Sequence, residues 1–181
     1  EYLYDDTTGE FFFIEMNTRI QVEHPVSELI TGIDLVQAML RIAGGEPLQF
    51  KQSDIQLKGT ALQMRLNAED PARDFFPCPG RVEELIWPQG AGIRVDTHLY
   101  PGYRVPPYYD SLLAKLIVQG ADRTETLARA LRAVEQTTLG GMASTLPLHR
   151  ELLQQPWLHR ADFNTGTLET WLAERRRGGE A

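Results

Sequence analysis

From Gly59 onward the chain is cut into short lengths by proline and glycine, with clusters at 77–80, 88–92 and 101–107. No helix or long strand runs through such a cluster, because proline lacks an amide donor and glycine readily takes turn conformations. Between the clusters lie runs of strand character at 81–87, 92–99 and 112–118. An earlier run, Ala61 to Asn67, alternates with period two, so that Leu62, Met64 and Leu66 share one face and Gln63, Arg65 and Asn67 the other. Arg65 is therefore expected to point away from the core. Short strands joined by short turns pair most simply as an antiparallel sheet. Thr124 to Thr137 reads as an amphipathic helix with Leu127, Leu131 and Val134 inward, and further helices are expected near Pro147 and from Thr167. The expected class for this part is α+β, a mainly antiparallel sheet with packed helices.

The first third of the chain has a different grain. Glu1 to Tyr4 reads as extended, Asp5-Asp6-Thr7-Thr8-Gly9 as a turn, and Phe11 to Ile14 as a buried strand. Pro25 suits a first helical position and Gly32 an end, while Asp34 can cap a helix that carries Leu35, Met39 and Ile42 on one face and stops at Gly44-Gly45. The organisation expected is the end of one domain over 1–45, a polar linker over 46–58, a second domain over 59–172 and a flexible tail over 173–181, where Arg175, Arg176 and Arg177 sit beside glycines. Because residue 1 lies in strand-like sequence and is not Met, the first domain is read as cut.

Composition narrows the function by exclusion. A net charge of -7 makes a nucleic acid an unsuitable partner, since phosphate binding needs clustered Lys and Arg. No apolar run nears the roughly 20 residues that span a bilayer, so no membrane role is expected. Cys78 is the single cysteine, which excludes an internal disulfide and points to a reducing compartment. Flanked by Pro77 and Pro79, it reads as a turn residue; Trp87, Trp157 and Trp171 read as packing residues.

The chemistry concentrates between Phe13 and Pro25. If that stretch is extended, Glu15, Asn17, Arg19, Gln21 and Glu23 line one polar row, with Ile14, Met16, Ile20 and Val22 on its reverse. A hairpin register setting Glu1 opposite Glu15 would bring two carboxylates together, an arrangement that costs energy unless a cation cancels it. Two carboxylates and an amide oxygen suit Mg²⁺ or Mn²⁺, which typically bridge to nucleotide phosphates. A solvated edge strand with a charged outer face explains the same alternation equally well, and the pattern alone does not choose. His24, with no spaced partner, reads as a packing or capping residue.

The exact strings add a resemblance. EMNTRIQVEHPV (15–26) closely resembles the metal and catalytic segment of the biotin carboxylase family, which belongs to the ATP-grasp superfamily. Glu1-Tyr2-Leu3 matches the position of that family's first metal-binding glutamate, RLNAEDP (65–71) resembles its RxNAEDP motif, and PPYYDS (106–111) is similar to its motif of that spelling. The matches keep the family's order and extend to about Leu172.

The resemblance implies an ATP-grasp domain end over 1–45 and a biotin carboxylase C-terminal domain over 59–172. It implies a ligase that uses ATP and bicarbonate, through carboxyphosphate, to carboxylate biotin held on a carrier protein, as in acetyl-CoA carboxylase and fatty acid biosynthesis or a related carboxylase. Glu1, Glu15 and Asn17 would hold Mg²⁺ or Mn²⁺, with Glu1, Glu15 and Leu3 contacting ATP. Gln21 and the Val22 N–H would hold bicarbonate, Glu23 would deprotonate it, and Arg19 would grip carboxyphosphate. Arg65 would stand beside the biotin enolate. Asp110 is expected to pair with Arg65 and orient it, the alternative being that Asp110 only starts the helix or turn after Pro107. The implied partners are a biotin carboxyl carrier protein or domain, a carboxyltransferase and a second copy in a homodimer. The implied location is the bacterial cytoplasm, or the mitochondrial matrix in a eukaryote.

Two departures stand out. The family's ATP site also uses a glycine-rich lid, lysines and a histidine upstream, whereas the three lysines here are Lys51, Lys58 and Lys115 and none sits in a glycine-rich loop. The chain alone is therefore expected to be inactive. The loop Gly90 to Arg94 keeps the arginine of the family's dimer contact but has Ala91 where the family has an aromatic. A non-catalytic folding or dimerisation module is the alternative. Another ATP-grasp ligase, such as a carbamoyl phosphate synthase, is weighed against by the second and third motifs.

Overall fold

Asp5 sets the first turn. In the computed structural model, which describes residues 1–178, its carboxylate accepts the backbone N–H groups of Thr7 (2.8 Å) and Thr8 (3.3 Å). Those two donors hold its pKa below the usual carboxylate value. The turn joins β1 (Tyr2–Tyr4) to β2 (Phe11–Phe13) as an antiparallel hairpin with Tyr2 opposite Phe13. Helix α1 (His24–Thr31) has Pro25 in its first turn and ends at Gly32 in the left-handed conformation. Helix α2 (Leu35–Ala43) starts from Asp34, whose side chain accepts the Gln37 N–H at 2.8 Å, and stops at Gly44. These ends follow the capping chemistry of the sequence.

The chain divides into two compact units, Glu1–Gln56 and Leu57–Ala181. In the first, the expected buried strand is not buried: Phe11, Phe12 and Phe13 are 69%, 52% and 60% exposed. A two-stranded ribbon has no second layer of its own to cover either face, so its apolar side chains remain open.

The second unit begins with β3 (Thr60–Asn67), the short pair β4 (Glu69–Asp70) and β5 (Phe76–Pro77), β6 (Glu84–Ile86), β7 (Ile93–Thr97) and β8 (Leu112–Gly120). Helix α3 (Arg123–Gln136), β9 (Thr138–Gly140), α4 (Leu146–Leu152), α5 (Pro156–Arg160) and α6 (Thr167–Gly178) follow. The class is α+β, with β8 central in a three-stranded antiparallel sheet ordered β3-β8-β7. Because β8 is covered on both faces, its sequence is nearly unbroken apolar: Leu113, Ala114, Leu116, Ile117 and Val118 are all 2% exposed or less. Leu62 and Met64 of β3 join Leu116 and Val118 under Leu127, Ala130, Ala133 and Val134 of α3. Val82, Leu99, Val105 and Leu113 form a second cluster with Trp87 at its edge. Asp122 starts α3 by accepting the Glu125 N–H at 2.9 Å. Gly59 enters β3 at φ +68°, where a Cβ would collide with the Gly120 carbonyl oxygen, so only glycine fits.

β3 is an edge strand, and its outer backbone groups need partners. Residues at the start of α4 supply them. Thr145 Oγ1 accepts the Asn67 N–H (3.0 Å) and donates to Arg65 O (3.1 Å), while the Thr145 N–H donates to Asn67 O (3.1 Å). His149 Nε2 lies 2.8 Å from Arg65 O, which can only accept, so Nε2 carries the hydrogen.

Strands β4, β5 and β9 and helix α5 have no counterpart in the sequence reading, being two to five residues long. The arginine run read as a loose tail continues α6 to Gly178, with Arg175 paired to Glu151 (2.7 Å) and Arg176 to Asp74; residues 179–181 lie outside the described ones. Among the described residues no helix is long and apolar enough to cross a membrane.

His149 gives the fold a pH dependence. Burial lowers its pKa, against a smaller upward pull from the bond to Arg65 O. As pH falls below about 6.5, the unfolded chain takes up a proton that the folded one resists, so the unfolded state gains. Stability should be full above that pH and decline as pH drops toward the folded pKa. Urea titrations across this range should show a shallower decline for His149→Gln than for the parent; equal slopes would exclude His149 as the cause.

Candidate functional site

At the open end of the hairpin Ile14 N–H donates to Glu1 O (2.9 Å) and the terminal ammonium of Glu1 donates to Glu15 O (2.6 Å). The two acidic side chains meet there at Asn17. Asn17 Nδ2 donates to Glu1 Oε1 (2.8 Å) and to Glu15 Oε1 (3.1 Å). A single neutral amide nitrogen between two carboxylates leaves most of their charge uncompensated, which is the position a hard divalent cation would fill. Glu1, Glu15 and the Asn17 amide, whose oxygen is the matching ligand atom, fit such a cation. Among the described residues there is no group of three or more His, Cys, Asp or Glu side chains placed to hold a metal ion.

β2 ends at Phe13, and residues 14–23 carry no strand ladder. Of the expected apolar reverse, Ile14 and Met16 are 58% and 73% exposed, while Ile20 and Val22 are half-buried. The chain then turns into α1. Arg19 and Glu23 are exposed, with Arg19 Nη1 donating to Ile20 O (3.3 Å), while Gln21 and Val22 are half-buried. Leu3 lies in β1, exposed, paired with Phe12. His24 Nδ1 sits 2.8 Å from Gln21 O and Nε2 3.9 Å from Glu28, a local role at the start of α1.

In the second unit Arg65 lies on the face of the sheet away from α3, exposed as its alternation requires, between Met64 (4%) and Leu66 (0%). The register sets Arg65 opposite Lys115 and Lys115 opposite Asp96. Asp96 accepts two bonds from Arg94 (2.7 and 2.9 Å) and lies 3.4 Å from Lys115 Nζ. Partial burial works to raise its pKa, but the hydrogen bonds and charges of Arg94 and Lys115 outweigh that and hold it below the usual carboxylate value. Sequence reasoning missed this row; it needed the β8 register, although Lys115 within an apolar strand was a visible signal. Asp110 Oδ1 accepts the Leu112 N–H (2.8 Å), which is a turn role at the entry to β8. Cys78 is half-buried, its N–H bonded to Ala68 O (2.8 Å).

Residues 63–170 match the model of the biotin carboxylase C-terminal domain, and residues 1–51 that of the carbamoyl-phosphate synthase L chain ATP binding domain. The chain is 50% identical over 169 residues to biotin carboxylase from Haemophilus influenzae, an overlap covering 93% of this chain and 37% of that protein. It is 44% identical over 171 residues to biotin carboxylase 1 from Bacillus subtilis, covering 94% of this chain and 38% of that one. Among solved structures, the biotin carboxylase domain dimer of Hydrogenobacter thermophilus 2-oxoglutarate carboxylase, in complex with MgADP, ADP and bicarbonate, aligns with a TM-score of 0.91 at 43% identity over 93% of this chain and 37% of that one. The chain spans somewhat over a third of the length of these relatives.

Removing the Asp96 charge should take from Lys115 and Arg94 a counter-ion that they share. Asp96→Asn is expected to cost about 1 kcal/mol at neutral pH, a figure reduced for partial solvent exposure. Because the folded carboxylate titrates below its ordinary value of 3.8, this contribution is present above that pH and is lost as pH falls through the folded pKa. Thermal melts of parent and variant should therefore converge in acid; a constant gap would rule the ion row out.

Proposed function

This chain belongs to the biotin carboxylase family, and on that premise we propose that it carries the metal-binding and catalytic strands of an ATP-dependent ligase that carboxylates biotin on a carrier protein. In this reading residues 1–45 end an ATP-grasp domain, 46–58 link, and 59–172 form the C-terminal domain. The observation that carries it is the convergence of the Glu1 and Glu15 carboxylates on one Asn17 amide nitrogen.

Glu1, Glu15 and Asn17 would hold Mg²⁺ or Mn²⁺, which supplies the positive charge that offsets the ATP phosphates as the γ-phosphoryl group moves. Leu3 contacts the adenine. Gln21 and the Val22 N–H hold bicarbonate, and Glu23 takes its proton, so that bicarbonate oxygen attacks the γ-phosphorus and ADP leaves. Arg19, a permanently charged planar fork, grips the resulting carboxyphosphate. Carboxyphosphate breaks into CO₂ and phosphate; phosphate removes the N1 proton of biotin, and N1 attacks CO₂. Charge builds on the ureido oxygen during that step, and the exposed Arg65 guanidinium stabilises it. Asp110, at the head of β8, orients Arg65. The chain by itself does not turn over ATP, and the acyl acceptor is chosen by a carboxyltransferase.

A second reading is that this stretch serves as a non-catalytic folding or dimerisation module. Sedimentation of the chain with and without Mg²⁺-ATP separates the two: a stable dimer indifferent to nucleotide would support the module.

In the full-length enzyme, Arg19→Ala and Glu23→Ala should each lower bicarbonate-dependent ATP cleavage by about a hundredfold or more. Near-normal rates in both would refute the assigned roles. Glu15→Gln should raise the Mn²⁺ concentration needed for half-maximal rate, and an unchanged requirement would remove Glu15 from the metal site.

A further inference from the structure

Asp110 sits in a loop that buries almost nothing. Residues 107–110 are all exposed, with Tyr108 and Tyr109 at 84% and 82%. Apolar packing therefore does not decide where the loop goes; its two ends do. On the entry side Val105 is buried, and its N–H donates to Gly80 O (2.8 Å). On the exit side the chain is fastened at Ser111. The Ser111 carbonyl accepts the Ala68 N–H (2.8 Å), and the Ser111 hydroxyl donates to Glu69 Oε1 while accepting from Asn67 Nδ2 (3.0 Å). Asn67 Nδ2 also reaches Glu69 Oε1 at 3.3 Å, which closes a triangle of three half-buried polar side chains.

The triangle sits where the β3–β8 ladder changes register. Leu66 pairs with Ala114 but Asn67 pairs with Leu112, so Leu113 is an extra residue and β8 bends there. Thr97 Oγ1 donates to the Leu113 carbonyl (2.9 Å). Asn67 lies two residues beyond Arg65, on the same face of β3. The clamp thus joins the strand that carries Arg65 to the residue that follows Asp110.

We infer that Asn67, Glu69 and Ser111 are positioning residues for the biotin step, holding the Asp110 loop against the Arg65 strand. This rests on the role given above to Arg65. The Ser111 hydroxyl is the hub, because it alone both donates to the carboxylate and accepts from the amide. With the hydroxyl gone, Asn67 and Glu69 keep one long contact at 3.3 Å and the exit of the loop loses its side-chain anchor. The ladder bond from Ala68 to the Ser111 carbonyl remains, so the strand stays paired while the loop loosens.

The test uses the full-length enzyme and the ratio of biotin-dependent to biotin-independent ATP cleavage, both measured with saturating bicarbonate and free biotin as acceptor. That ratio is insensitive to the amount of folded protein and to damage at the metal site. Ser111→Ala should lower it about tenfold, and Ser111→Thr, which keeps the hydroxyl, should restore it to within about threefold. Glu69→Gln should lower it in the same direction and takes the place of Ser111→Ala should that variant fold poorly. A ratio unchanged in the alanine and glutamine variants, whether or not both rates fall together, would overturn the inference. So would failure of threonine to rescue. Arg65→Ala separates the premise: if its ratio is normal, the role of Arg65 fails; if its ratio collapses while Ser111→Ala is normal, only the clamp fails.

Discussion

The second unit depends on the register between β3 and β8. Side chains on a strand alternate faces, so slipping β3 by one residue would exchange its two sides completely. Met64 and Leu66, now at 4% and 0% exposure, would leave the core, and the Arg65 guanidinium would be driven under α3 among Leu127, Ala130 and Val134. Burying that charge in an apolar layer costs several kcal/mol in real proteins, more than a local adjustment could recover. The apolar face thus fixes the register, and the register delivers Arg65 to the opposite surface. Placement of an exposed cation is here a by-product of packing.

This explains what the sequence made legible. Period-two alternation in 61–67, the apolar run of β8 and the caps at Asp34, Gly32 and Asp122 are local signals backed by local physics, and the corresponding elements form where those signals lie. The reading failed where a layer was missing: Phe11 to Phe13 lie open because a hairpin alone has no inside, and strand pairing ends at Phe13, short of the polar row. The register shift at Leu66/Asn67 was not legible either, since a bulge leaves no reliable mark in composition. The approach of Glu1 to Glu15 was legible nonetheless, since residues on either side of a tight hairpin must meet at its open end whatever the detail of the ladder.

The irregularity in the second unit has a consequence for its polar groups. At Leu113 the break bends β8 just after Asp110 and Ser111. A regular ladder would project these groups in strict alternation, half of them to the wrong face. An extra residue re-aims a side chain without abandoning the strand pairing that holds the backbone still. The strings 65–71 and 106–111 both span or adjoin this irregularity.

The cross-strand row on the sheet face away from α3 points the same way. Arg65 directly opposite Lys115 is a pairing of like charges, which a sheet selected for stability alone would avoid. Asp96 on the far side of Lys115, held also by Arg94, draws the ammonium toward β7 and partly offsets that cost. Two cations thus stand side by side on β3 and β8, with the Asp96 carboxylate one strand further on.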